Sequence, residues 1–375
     1  MASTRILITG GAGFIGSNLA WRLQREGHTM VILDSLLPQV HGDNPSPNLP
    51  ECETIWADVR DAEALARALQ GVEVVYHFAA ETGVGQSQYE VGRYVSVNTY
   101  GTALLLETAA AAGVGQIVLA SSRAVYGEGS FHCPSCDQVF TTGSRLANAM
   151  DQGQWEVSCP QCGNAAMPLP MSEDTPTRPA SIYGVTKLQQ EQLTSTVGDV
   201  HNLPVTMLRF FNVYGPGQSL HNPYVGVLGT FFRRATRGET VEVYEDGAMS
   251  RDFVFVSDVV EALQLAMGND RAFGQVLNVG TGEGVTLLQV ASEMFRAVSK
   301  TPSIQVSGRY RLGDVRHAVA SVAQLEETLG FAPRTTFVEG LQQFVEWAQA
   351  NHSDAADDVA ENQLAARALL RKARV

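Results

Sequence analysis

The residues best suited to chemistry are a tyrosine and a lysine four positions apart, Tyr183 and Lys187. On a helix that spacing puts both side chains on one face, and Ser181 is a suitable N-cap. A tyrosine, with an ordinary pKa near 10, acts as a base at neutral pH only when cations stabilise its phenolate. Lowering that pKa by roughly 3 units takes about 4 kcal/mol of differential stabilisation. Lys187 is one such cation. Ser121-Ser122, closing an apolar run, adds a hydroxyl that can hold a substrate oxygen and pass its proton.

A second group is the turn Gly10-Gly11-Ala12-Gly13-Phe14-Ile15-Gly16, in which Gly11, Gly13 and Gly16 match G-x-G-x-x-G. It follows an apolar run and opens a helix-like stretch, so its glycines permit a tight turn and close approach of a pyrophosphate to the helix N-terminus. Asp34 closes the next run, 18 residues past Gly16. A carboxylate there accepts hydrogen bonds from both ribose hydroxyls and repels a 2′-phosphate. No arginine follows it, so the expected dinucleotide is NAD rather than NADP. Its oxidised nicotinamide is the second cation for the tyrosine.

A third group is Cys133, Cys136, Cys159 and Cys162, spaced C-x₂-C-x₂₂-C-x₂-C. Two such turns complete a tetrahedron of thiolates, the pattern of a structural zinc ribbon. Four protein ligands leave no open position for catalysis. Iron or a pair of disulfides are the alternatives. Between residues 131 and 167 the only Lys or Arg is Arg145, so the insert is not expected to bind nucleic acid. Phe131, Phe140 and Trp155 would pack its small core or dock it on the parent domain.

These groups must be positioned by a scaffold. Ile6–Thr9, Met30–Asp34, Val74–Phe78, Ile117–Ser121 and Val205–Phe211 read as strands buried on both faces, with helices over 15–26, 61–70 and 98–112 between them. That alternation predicts an α/β, doubly wound parallel-sheet (Rossmann) domain over 1–130 and 168–211, with a return segment near 252–267. The zinc-ribbon insertion covers 131–167. A smaller substrate lobe is expected over 212–251 and 268–350, and 351–375 form a tail. Its Ala-rich stretch from 353 has helical character and is expected to fray rather than cover a partner surface.

With 375 residues, 45% apolar and 17% charged, the chain is globular, and 39 acids against 26 Lys plus Arg give −13. That balance argues against nucleic-acid binding. No apolar run approaches the roughly 18 residues of a membrane span, and no secretory signal is apparent, so a cytoplasmic protein is expected.

The motifs occur in the order found in a known family. They are Gly10–Gly16, Asp58-Val59, His77-Phe78-Ala79-Ala80, Asn98, Ser121-Ser122-Arg123-Ala124-Val125-Tyr126-Gly127 and Tyr183-Gly184-Val185-Thr186-Lys187. Arg209–Pro216, Arg251–Val254 and Arg311–Asp314 complete the set. From about residue 4 to 350, the cysteine insert apart, the chain resembles the extended short-chain dehydrogenases/reductases, specifically the nucleotide-sugar epimerases and dehydratases. The resemblance implies that Asp58 and Val59 border the adenine, that Phe78, Ala79 and Ala80 line the cofactor groove with Asn98 near it, and that Ser122, Tyr183 and Lys187 are the catalytic set. It implies that Ser122, Asn212, Arg251 and Arg311 contact the nucleotide sugar, the arginines clamping its diphosphate. It also implies a homodimer through helices 98–112 and 183–198.

Within the family, 4,6-dehydratases carry Asp-Glu after the serine position, decarboxylating relatives a glutamate, and 3,5-epimerising relatives a cysteine. Here Arg123-Ala124 supplies none of these, which leaves oxidation and re-reduction at C4. The stretches Gly83–Glu90 and Gln218–Leu228 are most similar to enzymes epimerising dTDP-L-rhamnose at C4, although Glu81-Thr82 and Gly217 depart from the family pattern. A UDP-sugar 4-epimerase, a dehydrogenase or ketoreductase of the same fold, and a non-enzymatic NAD-binding scaffold are the alternatives.

Overall fold

The computed structural model describes residues 3–220, 222, 224, 226–351 and 359–374. His221, Pro223 and Val225, inside one of the stretches singled out above, lie outside the described residues, as does part of the tail. A seven-stranded sheet forms the centre. From one edge its strands are Val276–Val279, Val205–Phe210, Gln116–Ser122, Val74–His77, Arg5–Thr9, Thr29–Asp34 and Glu53–Trp56. All pairings are parallel. The chain order reverses on either side of Arg5–Thr9, and in such sheets ligands bind at that switch point, beyond the carboxyl ends of the strands.

Both faces are dry, which is why these strands read as continuous apolar runs. Ile6, Ile8, Ile32 and Tyr76 pack with Leu19 and Leu23 of the helix Phe14–Arg25 and with Val259 and Leu263 of Val256–Ala266. Leu7, Val31, Val75 and Ile117 pack on the other face with Leu65, Leu105 and Leu106. The edge strand Glu53–Trp56 has no buried residue, which hid it from an apolar-run reading. The sheet also draws in Val276–Val279, from the segment expected in the second lobe, and Leu325, Leu329 and Phe331 pack beneath it. The second lobe has its own core around Phe231, Phe232, Phe253, Phe255, Met294 and Phe344.

The tail departs from expectation. Residues Val359–Ala366 form a helix, and Leu370–Lys372 pair antiparallel with Arg309–Arg311. Leu364 and Leu370 are buried against Tyr244 and Met249. This apolar burial, with Gln363 accepting from Tyr89 and Tyr224, opposes fraying. Among the described residues no helix is long and apolar enough to cross a membrane.

Candidate active site

The carboxyl ends of the central strands and two helices, Phe14–Arg25 and Ile182–His201, build the site. At the first strand end, Gly10 has φ +67°, and a Cβ there would meet Ala79 N at 2.7 Å. At Gly16 it would lie 2.6 Å from Gly10 O, so helix and turn can touch only through glycine. The helix starting at Phe14 has no side-chain cap and no acid in its first turn. Its free N–H groups and dipole therefore suit an anion. Asp34 is buried at the next strand end, where Oδ2 accepts from Ala12 N (3.0 Å) and Oδ1 from Leu36 N (2.9 Å). Each oxygen retains acceptor capacity for a ribose hydroxyl. Phe78, Ala79 and Ala80 continue from Val74–His77 beside Gly10. Asp58 pairs with Arg60 at 2.6 Å, and Val59 is buried. These features fit NAD.

Asn98, expected near this groove, is engaged by the scaffold. It is fully buried, accepts from Glu81 N (2.7 Å) and donates to Glu81 O and Thr186 Oγ1 (3.0 Å each). It thereby ties the 81 loop to the tyrosine helix. A π-helical turn, Val95–Tyr100, carries it, and the α-helix expected from residue 98 begins at Gly101. Glu81 is neutralised by a bidentate pair with Arg93, both contacts 2.8 Å.

The tyrosine helix spans Ile182–His201, with Ser181 as N-cap accepting from Gly184 N at 3.1 Å. A Cβ at Gly184 would run into the Ala124 carbonyl, so glycine lets the helix close onto the turn after Ser122. This approach sets Tyr183, at the start of the helix, beside the turn that follows Ser122. The two serines differ: Ser121 bonds Glu191, which pairs bidentately with Arg209, so Ser121 belongs to a buried structural network. Burial pushes the Tyr183 phenol up, while the Ser122 hydrogen bond and the Arg123 charge oppose this. Lys187 is 3% exposed and donates from Nζ to Ala120 O at 2.9 Å. Loss of hydration brings it down to about 7 against the opposing pull of Glu191. Arg123, next to Ser122, adds a positive charge that works in the same direction on the phenol.

Asn212 follows the strand Val205–Phe210 and accepts from Arg123 Nε at 3.2 Å. Arg251 donates to Asp314 Oδ1 (2.8 Å) and Arg316 O (3.1 Å). Arg311 stacks 4.9 Å above Tyr244, its Nε buried without a partner. Although burial disfavours its charge, Asp314 is held below the usual carboxylate range by Arg251, Arg311, Arg123 and Arg145. Three cations thus converge from the site side on one carboxylate, leaving a positive cleft suited to a diphosphate.

The insert forms a three-stranded antiparallel unit, Gly129–Cys133, Gln138–Thr142 and Met167–Pro168. The sulfurs of Cys133, Cys136, Cys159 and Cys162 all lie within 4.8 Å of one another. Phe131 and Phe140 pack its core, whereas Trp155 docks edge-on against Tyr310 at 5.9 Å. No local pattern in the chain signals the contact with the second lobe. Arg145, 3% exposed, bonds Glu128 (2.9 Å), both oxygens of fully buried Glu245 (2.8 and 2.9 Å) and Asp314 O (3.0 Å). Glu156 grips Arg316, whose carbonyl receives Arg251.

A doubly wound dinucleotide fold with serine at one strand end and a Tyr-x-x-x-Lys helix packed on it defines an extended short-chain dehydrogenase/reductase. A family model, the NAD dependent epimerase/dehydratase family, matches residues 6–147 and 157–280. The chain belongs to that family. It is 36% identical to a dTDP-L-rhamnose 4-epimerase of Burkholderia thailandensis, over 92% of this chain and 94% of the relative. It is 31% identical to a UDP-glucose 4-epimerase of Mycolicibacterium smegmatis, over 92% and 98%. Among solved structures, MoeE5 in complex with UDP-glucuronic acid and NAD is similar at 35% identity and TM-score 0.74, over 92% of this chain and 99% of MoeE5.

Proposed function

We propose that the protein is an NAD-dependent nucleotide-sugar 4-epimerase acting on a dTDP-6-deoxyhexose such as dTDP-L-rhamnose. The observation that carries this reading is the turn after Ser122. It presents a guanidinium and a methyl group, Arg123 and Ala124, where elimination or decarboxylation would need a carboxylate. The relative of that name supports the choice of sugar.

Gly10, Gly13, Phe14, Ile15 and Gly16 would hold the NAD pyrophosphate, Asp34 its ribose, and Asp58, Val59 and Phe78–Ala80 the adenine and groove. Bound NAD supplies a reversible hydride acceptor for the sugar carbon. Ser122 donates to O4 of the sugar. Tyr183 removes the O4 proton, and Lys187 stabilises the phenolate. The resulting 4-keto sugar turns about its diphosphate, anchored by Arg251 and Arg311 with Asn212 beside the sugar. Tyr183 then returns its proton to O4 of the epimer.

Incubation with dTDP-, UDP- and GDP-sugars, followed by NMR, should yield a C4 epimer of a dTDP-6-deoxyhexose, with NAD retained on the purified protein. Conversion of UDP-sugars alone would reassign the nucleotide. Net reduction or oxidation with cofactor release would make the protein a dehydrogenase.

The four cysteines are read as a structural zinc site. Tetrahedral Zn–S bonds of about 2.3 Å put sulfurs about 3.8 Å apart, close to the Cys133–Cys162 and Cys136–Cys159 separations of 3.5 and 3.6 Å. A homodimer is read from the helix pair Gly101–Ala112 and Ile182–His201, beside which Val95 and Tyr100 expose apolar surface. Light scattering should give twice the chain mass.

A further inference from the structure

The C-terminal segment has no role in the reading above, yet it joins two surfaces that meet beside the site. One is the loop 83–90, which follows the cofactor groove. Leu364 of the segment lies against it, where a Cβ on Gly85 would meet Leu364 Cδ1 at 3.2 Å, and Arg367 stacks 4.1 Å above Tyr89. The other is the stretch that carries Arg311. Leu370–Lys372 pair antiparallel with Arg309–Arg311, and Leu312 N donates to Leu369 O at 3.1 Å. Gln363 ties the first surface to the second lobe, because its one oxygen accepts from both Tyr89 and Tyr224. Both surfaces border the tyrosine helix: a Cβ at Gly313 would meet the side chain of Gln88 and, at 2.9 Å, Ala180 O, just before the Ser181 cap.

The segment also reaches the side chain of Arg311. Tyr244 donates its hydroxyl proton to Glu361 at 2.7 Å, and Glu361 pairs with Arg309 at 3.3 Å. With that proton committed to a carboxylate, the Tyr244 oxygen is left to accept from Arg311 Nη2 at 3.5 Å, and the guanidinium lies 4.9 Å above the ring. Arg311 is thus held twice by the segment, through its backbone by the strand pair and through its side chain by Glu361 and Tyr244. The apolar anchors are Leu364 and Leu370, packed with Tyr244 and Met249. So small an apolar contact leaves docking responsive to whatever binds at the arginine.

We propose that residues 359–372 form a strap between the lobes that positions Arg311 for the diphosphate, with Glu361 as its positioning residue. By reciprocity, a nucleotide bound at Arg311 favours the docked strap. This rests on the reading of Arg311 as a diphosphate ligand.

The experiment uses the full-length, NAD-loaded protein with free dTDP as the probe. Trypsin has sites within the strap at Arg367, Arg371 and Lys372, and cleavage there should slow several-fold when dTDP is added. Glu361→Ala should be cut faster than wild type in the absence of dTDP and should bind dTDP about tenfold more weakly. Glu361→Gln, which still accepts from Tyr244, should recover most of that affinity. With a sugar nucleotide that the wild type converts, the alanine variant should raise KM by about tenfold and leave kcat within about twofold, since the strap acts on binding and not on the reacting carbon. NAD content should be unchanged. Strap cleavage indifferent to dTDP, wild-type dTDP affinity in Glu361→Ala, or a loss of affinity that comes with loss of NAD would each overturn the proposal. If Glu361→Ala fails to fold, Gln363→Ala, which unties Tyr89 and Tyr224, carries the same comparison. A wild type that binds no nucleoside diphosphate would overturn the diphosphate reading and this proposal with it, whereas one that binds dTDP with an indifferent strap overturns this proposal alone.

Discussion

Tyr183→Phe is expected to lower turnover by about 10²–10⁴-fold while leaving sugar-nucleotide and NAD binding within a few-fold of wild type. Tyr183 is the titratable side chain that the helix Ile182–His201 sets beside the turn after Ser122. Arg123 cannot act as a base, and the Lys187 ammonium is tied to Ala120 O, one turn along the helix. Phenylalanine keeps the ring that fills the space, so the loss should appear in kcat rather than KM. Single-turnover kinetics with calorimetric binding separates the two. Near-normal turnover in this variant would remove Tyr183 from the chemistry.

The second large effect concerns the insert. Cys159→Ser is expected to abolish metal retention, because a three-thiolate remnant loses much of the binding free energy that folds so small a module. Glu156, three residues before Cys159, grips Arg316, and Arg145 fills the space between Glu128 and Glu245. Once the insert loosens, fully buried Glu245 loses a partner. Breaking such a buried pair typically costs about 3–5 kcal/mol. The clamp should suffer with it, since Arg251 leans on Arg316 O and Asp314 O leans on Arg145. Expected results are no bound zinc by elemental analysis, a melting temperature lower by several degrees, and affinity for free dTDP down by about tenfold or more, with NAD content unchanged. Wild-type protein without zinc, or a zinc-free variant with unaltered melting and dTDP affinity, would contradict this account of the insert.

Much of this arrangement was legible in the sequence because its signals are local. The glycine turn, Asp34, the Tyr183–Lys187 spacing and the paired C-x-x-C turns each lie within one element or one turn, and the buried strands announce themselves as apolar runs. What escaped depends on partners far apart in the chain. Arg145 meets Glu245 across 100 residues and Glu156 meets Arg316 across 160, and no periodicity marks a residue whose partner is so distant. Ser121 and Ser122 are indistinguishable in sequence, yet alternation along the strand sends Ser121 to Glu191 while Ser122 accepts from Ala124 N in the turn that faces the tyrosine helix. The tail looked free because its helix is weakly amphipathic. It is held by Leu364, Leu370 and a few hydrogen bonds to tyrosines of both lobes. The motif order marks Asn98 but does not reveal that its amide ties the Glu81 backbone to Thr186.

Epimerisation through a 4-keto sugar breaks the C4–H bond and no other C–H bond of the ring. A substrate deuterated at C4, converted in ordinary water, should give an epimer that keeps its C4 deuterium, and the unlabelled substrate converted in D₂O should gain no ring deuterium. Loss of the C4 label to solvent, or incorporation at C3 or C5, would rule out hydride transfer confined to C4.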